Sequence, residues 1–150
     1  MGKLNEILTL APQRGRAMNL PYKGALTPQE AHDILRLTPR AKLVDVRTRA
    51  EQDWVGRVPG AVEIEWNLYP SGVRNEHFLA QLKQQVDSEA VVLFLCRSGA
   101  RSDGAARLAT EAGYGNCYNI LEGFEGDKDA NGHRGTIGGW RKAGLPWQQG

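Results

Sequence analysis

Two rhythms run through the apolar positions of this chain. In "TPQEAHDILRL" (27–37) Ala31, Ile34 and Leu35 recur at helical spacing. Thr27 stands as N-cap before them, with Pro28 at the first helical position and Glu30 completing a capping box. "EHFLAQLKQQV" (76–86) repeats the rhythm through Phe78, Leu79, Leu82 and Val86. A third helix is predicted from about Ser102 to Ala112, where Ala105, Leu108, Ala109 and Ala112 form a stripe that Gly113 ends. Short apolar runs alternate with these helices: "KLVDVR" (42–47), "AVEIEW" (61–66), "AVVLFL" (90–95) and "CYNIL" (117–121). "AVVLFL" shows no polar alternation, as a central strand covered on both faces requires. "GGWRKAG" (138–144) predicts a last, short helix.

Strands alternating with helices imply right-handed crossovers and a mostly parallel sheet with helices on both faces, an α/β domain. Residues 1–23 read differently. Leu4, Ile7 and Leu8 hint at a short helix, but Pro12 and Gly15 interrupt it, so a loosely packed N-terminal arm is expected ahead of a domain at 24–150.

Composition narrows the picture only a little. A length of 150 residues suits one domain, and 41% hydrophobic with 24% charged residues is ordinary for a globular protein. A formal charge of +2 is too small to point to nucleic acid or an anionic membrane surface. No run approaches the roughly 20 apolar residues that cross a bilayer. The first residues, "MGKLNEILTL", contain no signal core with a cleavage site, and Glu6 occupies the place where myristoylation after Gly2 needs Ser or Thr. Two cysteines, Cys96 and Cys117, make no disulfide framework. The expectation is a monomeric cytoplasmic protein with reduced thiols and neither nucleic-acid nor membrane partners.

The chemistry concentrates in "CRSGARS" (96–102), directly after the central strand and at the start of a predicted helix. Ligands of open α/β sheets bind at the carboxyl ends of strands. The amides of Arg97 to Ser102 can curl there into a cup over the positive end of the helix dipole. Gly99 permits the inward turn, and Arg97 and Arg101 add formal charge. Each feature stabilises negative charge on sulfur and so favours a nucleophilic thiolate at Cys96.

These residues resemble the C-x-x-G-x-R loop of single-domain rhodaneses, the thiosulfate sulfurtransferases. Three other segments fit in order: "LVDVRTRAEQ" (43–52) with Asp45, Arg47 and Glu51, "GRVPGAVEI" (56–64), and "AGLPW" (143–147). The resemblance implies a rhodanese-like three-layer domain with a five-stranded sheet, its first strand near Gly24 to Leu26. It also implies a persulfide mechanism without cofactor or metal. Cys96 is then the nucleophile, and Arg97, Ser98, Gly99, Ala100 and Arg101 form the donor-binding cup. Asp45, Arg47 and Ser102 support it. Thiosulfate or a related small molecule would donate sulfur, and cyanide, a thiol or a protein would accept it. Arg101 either binds the donor or braces the loop. Asp45 either faces the site or belongs to an internal ion-pair arrangement in which Arg47 reaches Glu51. The alternative of another class is a non-enzymatic rhodanese-like docking or redox-sensing module.

Phosphatases of the same fold place five residues between cysteine and arginine. Here four intervene, Arg97 to Ala100, which suits a lone sulfur better than a phosphate. The chain departs from the family pattern in two places. Arg57 replaces the usual His, and an insertion at about 124–137 separates "LEG" from "GGW". That insertion is expected at the active-site edge, as a lid through Phe124 and His133 or as a surface loop. Within it "DKDANG" opens like a calcium loop through Asp127, Asp129 and Asn131. The twelfth position is Gly138, which favours a turn over a metal site. Cys117 reads as a packed structural cysteine with a resolving role left open. The four tryptophans read as core or rim residues, and His32 and His77 as surface residues on helices.

Overall fold

A computed structural model describes residues 2–149. Five strands, β1 (Gly24–Leu26), β2 (Ala41–Asp45), β3 (Val62–Glu63), β4 (Val91–Leu95) and β5 (Cys117–Ile120), form one sheet in the order β1-β5-β4-β2-β3. Every pairing is parallel. The chain leaves β2 toward one edge and β4 toward the other, so a crevice opens beyond their carboxyl ends.

The sheet is covered on both faces. Helix α4 (Phe78–Gln85) and α5 (Ala100–Glu111) bury Phe78, Leu82, Ala105 and Ala109 against Val44, Phe94 and their neighbours. On the other face α1 (Lys3–Ala17) and α2 (Pro28–Leu37) bury Ile7, Ala11, Ala31 and Ile34 against Leu93, Leu95 and Ile120. The capping box of α2 is formed as its sequence requires: Thr27 Oγ1 accepts the Glu30 amide and Glu30 Oε1 accepts the Thr27 amide. Such a cap is worth about 1 kcal/mol. Among the described residues no helix is long and apolar enough to cross a membrane.

Two expectations are corrected. Residues 3–17 form a fifteen-residue helix docked on β1 and α2, not a loose arm. Pro12 and Gly15 mark its tightest contact instead of breaking it. A Cβ on Gly24 would collide with the Ala11 carbonyl, and one on Gly15 would lie 3.0 Å from Gly24 Cα. Arg14 locks the contact with bonds to the Ala25 carbonyl at 2.6 Å and to Glu30 at 2.9 Å. Packing here outweighs propensity. Secondly, "GGWRKAG" makes turns instead of a helix, anchored by a buried Trp140. A short helix α3 (Arg49–Trp54), for which no element is predicted above, follows β2, and Glu51 completes a capping box with Thr48. The signature T-x-x-E was present in "TRAE" and repeats the one in "TPQE".

The insertion closes on itself. Trp140 N donates to the Gly123 carbonyl at 2.8 Å, and Gly139 N to Glu122 Oε1 at 2.9 Å. The two halves of the family's interrupted motif are thereby rejoined in space.

Candidate active site

The site grows out of the end of β4. Its four consecutive buried residues, Val92 to Leu95, carry the chain to Cys96, whose side chain is 1% exposed. Gly99 then takes φ of +116° as the N-cap of α5, a left-handed conformation that suits glycine. That turn aims the Gly99 amide at Cys96 Sγ, 3.0 Å away. Ser102 Oγ lies 3.2 Å from the same sulfur. The helix begins at Ala100, two residues earlier than the apolar stripe suggests. The Gly99 amide, at the N-cap of α5, thus faces the thiol from the start of the helix.

The expected residues separate into groups. Ser98 and Gly99 are half-buried in the loop, and Arg97 and Ala100 are exposed at its rim. Arg101 points away to Glu51, with its Nη1 and Nη2 at 2.7 and 2.8 Å from the two carboxylate oxygens. Glu51 also accepts the Thr48 amide at 3.0 Å, so one carboxylate lashes the start of α3 to the start of α5. Burial alone would raise the Glu51 pKa, but the Arg101 and Thr48 bonds bring it down to about 2.

Asp45 and Arg47 are fully buried and pair with each other. Arg47 Nη2 and Nε donate to Asp45 at 2.7 and 3.0 Å, and Nη2 also reaches the Gly56 carbonyl at 2.8 Å. The expected Arg47–Glu51 contact is therefore replaced by two separate pairs, Arg47–Asp45 and Arg101–Glu51. Phe124 covers the first, its ring centroid 4.2 Å from the Arg47 guanidinium carbon. Phe124 is buried in the core, which removes it from any lid, whereas His133 is exposed.

The root of the insertion backs the cysteine loop directly. Phe124 N donates to the Cys96 carbonyl at 2.8 Å, and Glu125 N to the Arg97 carbonyl at 3.0 Å. The approach is so close that a Cβ on Gly123 would lie 2.5 Å from the Cys96 oxygen. Farther out, the Asp129 carboxylate accepts the amides of Asn131 and His133 and the Thr136 hydroxyl, the pattern of a self-bonded turn.

One residue escaped the sequence reading. Asn119, in the middle of β5, accepts from Ser102 Oγ at 2.5 Å and donates to the Gly99 carbonyl at 3.1 Å. Its signal was a lone amide in the strand "CYNI", where all four residues are buried. Cys117 lies on that strand too, but its Sγ faces the Tyr114 carbonyl at 3.7 Å and the Thr110 side chain, away from the cysteine loop. Cys117 pairs in register with Val92, four residues short of Cys96, which is about 13 Å along the strand. No disulfide spans that distance without backbone movement.

Volume and chemistry part company in this molecule. A cleft of about 730 Å³ lies over α3 and β3, lined by Trp54, Glu63, Tyr69 and Gln85 among others, and no residue of the cysteine loop borders it. The amide aimed at a buried sulfur is the better guide, because it describes what the site does to charge.

Comparison with known proteins agrees with that reading. Residues 27–130 match the model of the Rhodanese-like domain. An uncharacterised protein of Rickettsia rickettsii is 40% identical over 123 residues, covering 79% of this chain and 92% of its own length. The thiosulfate sulfurtransferase GlpE of Tolumonas auensis is 30% identical over 109 residues, covering 73% and 92%. The crystal structure of Rv0390 from M. tuberculosis superposes with a TM-score of 0.79 at 49% identity, covering 86% of this chain and 99% of that one.

Proposed function

The chain belongs to the family of rhodanese-like domains, and from that premise we propose that it is a sulfurtransferase working through a persulfide on Cys96. The observation that carries this reading is the Gly99 amide aimed at Cys96 Sγ from the N-cap of α5.

The chemistry balances with the chain's own thiolate. Sγ attacks the outer sulfur of thiosulfate, the S–S bond of the donor breaks, and sulfite leaves with the bonding pair. The persulfide anion then occupies the cup of amides from Arg97 to Arg101, which supports the negative charge now on the outer sulfur. Cyanide or a thiol, small or on a protein, attacks that outer sulfur, and Sγ departs as thiolate. Arg97, exposed at the rim, attracts the anionic donor. Arg101 braces the loop, since both of its terminal nitrogens are held by Glu51. Asp45 and Arg47 support the same edge from within the core. Four loop residues between Cys96 and Arg101 draw the cup around one sulfur atom more closely than around a phosphate. The two free, buried cysteines suit a reducing cytoplasm.

Intact mass after incubation of the reduced protein with thiosulfate tests the proposal. The expected result is a gain of about 32 Da, removed by cyanide and absent from Cys96→Ser. A wild-type protein that gains no mass from thiosulfate refutes thiosulfate as donor. If polysulfide also adds nothing, the persulfide route falls with it.

A further inference from the structure

Asn119 sits on a sheet face otherwise apolar. It pairs in register with Phe94, and Cys117, two residues before it, packs with Val44, Val92 and Phe94 on the side facing α5. At 4% exposure its amide needs hydrogen-bond partners at both ends. Two partners belong to the cysteine loop, the Ser102 hydroxyl at 2.5 Å and the Gly99 carbonyl at 3.1 Å, and the Tyr22 hydroxyl also meets the amide. The same carbonyl accepts the Asp103 amide at 3.2 Å, so it is held from two sides.

We propose that Asn119 is a positioning residue that aims the amide cup: by holding the Gly99 carbonyl toward the sheet it turns the Ala100 N–H toward the anion bound beside Cys96. Peptide geometry carries the inference. A trans peptide is planar, with C=O and N–H pointing in opposite directions. Fixing the Gly99 oxygen inward therefore turns the Ala100 N–H outward, into the mouth of the loop, while the preceding amide of Gly99 already points at Sγ. Ser102 completes the arrangement. Its hydroxyl has one proton, committed to Asn119, so its oxygen meets Sγ as an acceptor for the thiol S–H. Once the sulfur is ionised or carries a second sulfur, that S–H is gone, and the negative charge depends on the amides that Asn119 has aimed. This inference rests on the reading of Cys96 as the nucleophile in an anion-binding loop, and adds to it the neighbouring-strand residue that sets the aim.

The test compares two alkylating agents of similar size, anionic iodoacetate and neutral iodoacetamide, on the full chain at one pH, read from the mass of the Cys96 peptide. The ratio of the two rates cancels the thiolate fraction and reports how well the cup accepts an anion. Asn119→Leu, verified as folded by circular dichroism, is expected to lower the iodoacetate-to-iodoacetamide ratio about three- to tenfold. Cys117→Ser, two residues earlier on the same strand and outside the loop's hydrogen bonds, is expected to stay within about twofold of wild type. A purely structural Asn119 would lower the thermal midpoint and leave the ratio alone. An unchanged ratio in folded Asn119→Leu, or an equal fall in Cys117→Ser, overturns the proposal. Should Asn119→Leu not fold, Asn119→Ala reads the same ratio. Failure of the persulfide reading shows elsewhere, as a wild-type protein that gains no sulfur from thiosulfate, and the alkylation ratio does not depend on it.

Discussion

The two ends of one sheet face each carry a buried cysteine, and they differ in everything but burial. Cys117, at the amino end of β5, looks at a carbonyl, and burial pushes its pKa up to about 11. Cys96, past the carboxyl end of β4, looks at an amide 3.0 Å away. Strand amides and carbonyls point sideways and are taken up by the ladder, whereas the first amides of a helix point out of its start without intrahelical partners. A thiol at the junction of strand and helix therefore meets free donors that a thiol within the sheet does not. A hydrophobic setting by itself makes sulfur inert, and reactivity needs the turn.

The sharpest way to break this comparison is to remove each sulfur in turn. Cys96→Ser is expected to cut sulfur uptake from thiosulfate about a thousandfold or more, whereas Cys117→Ser keeps it within about twofold, both read by intact mass over time. Loss of uptake in Cys117→Ser would place both ends of the sheet in the chemistry. The raised pKa of Cys117 has a signed consequence as well. The folded chain favours the neutral thiol, so the stability it contributes is complete below the ordinary value of 9.0 and is lost as pH rises through about 11.

Next in size is the ion pair under the active edge. Asp45→Asn leaves the fully buried Arg47 guanidinium without its counter-charge and is expected to cost about 3–5 kcal/mol, seen as a lower urea midpoint at unchanged slope. A change near zero would mean that Phe124 and the Gly56 carbonyl hold Arg47 alone.

The smallest effect concerns the Glu51 tie between α3 and α5. Glu51→Gln is expected to cost about 1 kcal/mol at pH 7, the scale of one cap and one partly exposed ion pair. Because folding depresses the Glu51 pKa from 4.5 to about 2, its contribution is complete above about pH 4.5 and disappears as pH falls through 2. Thermal midpoints of wild type and Glu51→Gln should therefore converge on acidification. A gap that persists well below pH 2 would assign the cost to packing instead of charge.

Local patterns made much of this molecule legible in its sequence. The capping box at Thr27, the unbroken apolar strand before Cys96 and the glycine-marked loop each depend on neighbours along the chain, and each is found where the pattern put it. What escaped depends on partners far along the chain. Arg14 finds Glu30 and Ala25 only once α1 lies across β1, which turns Pro12 and Gly15 from interruptions into contact points. Arg101 finds Glu51 across fifty residues, whereas one of the two alternatives open from the strand ends gives that carboxylate to Arg47. Asn119 looked like one more strand residue, because nothing in "CYNIL" says which loop its side chain will meet.

The insertion between Gly123 and Gly139 leaves and returns through adjacent hydrogen bonds, with its root against the back of the cysteine loop and its tip wound around Asp129. Such a gate decouples length from chemistry. Each doubling of a loop whose ends are already pinned adds only about 0.6 kcal/mol of closure entropy. The stretch around 127–134 is thus a place where lineages can try new sequence, and an engineer can splice a reporter, without touching the geometry that holds the sulfur.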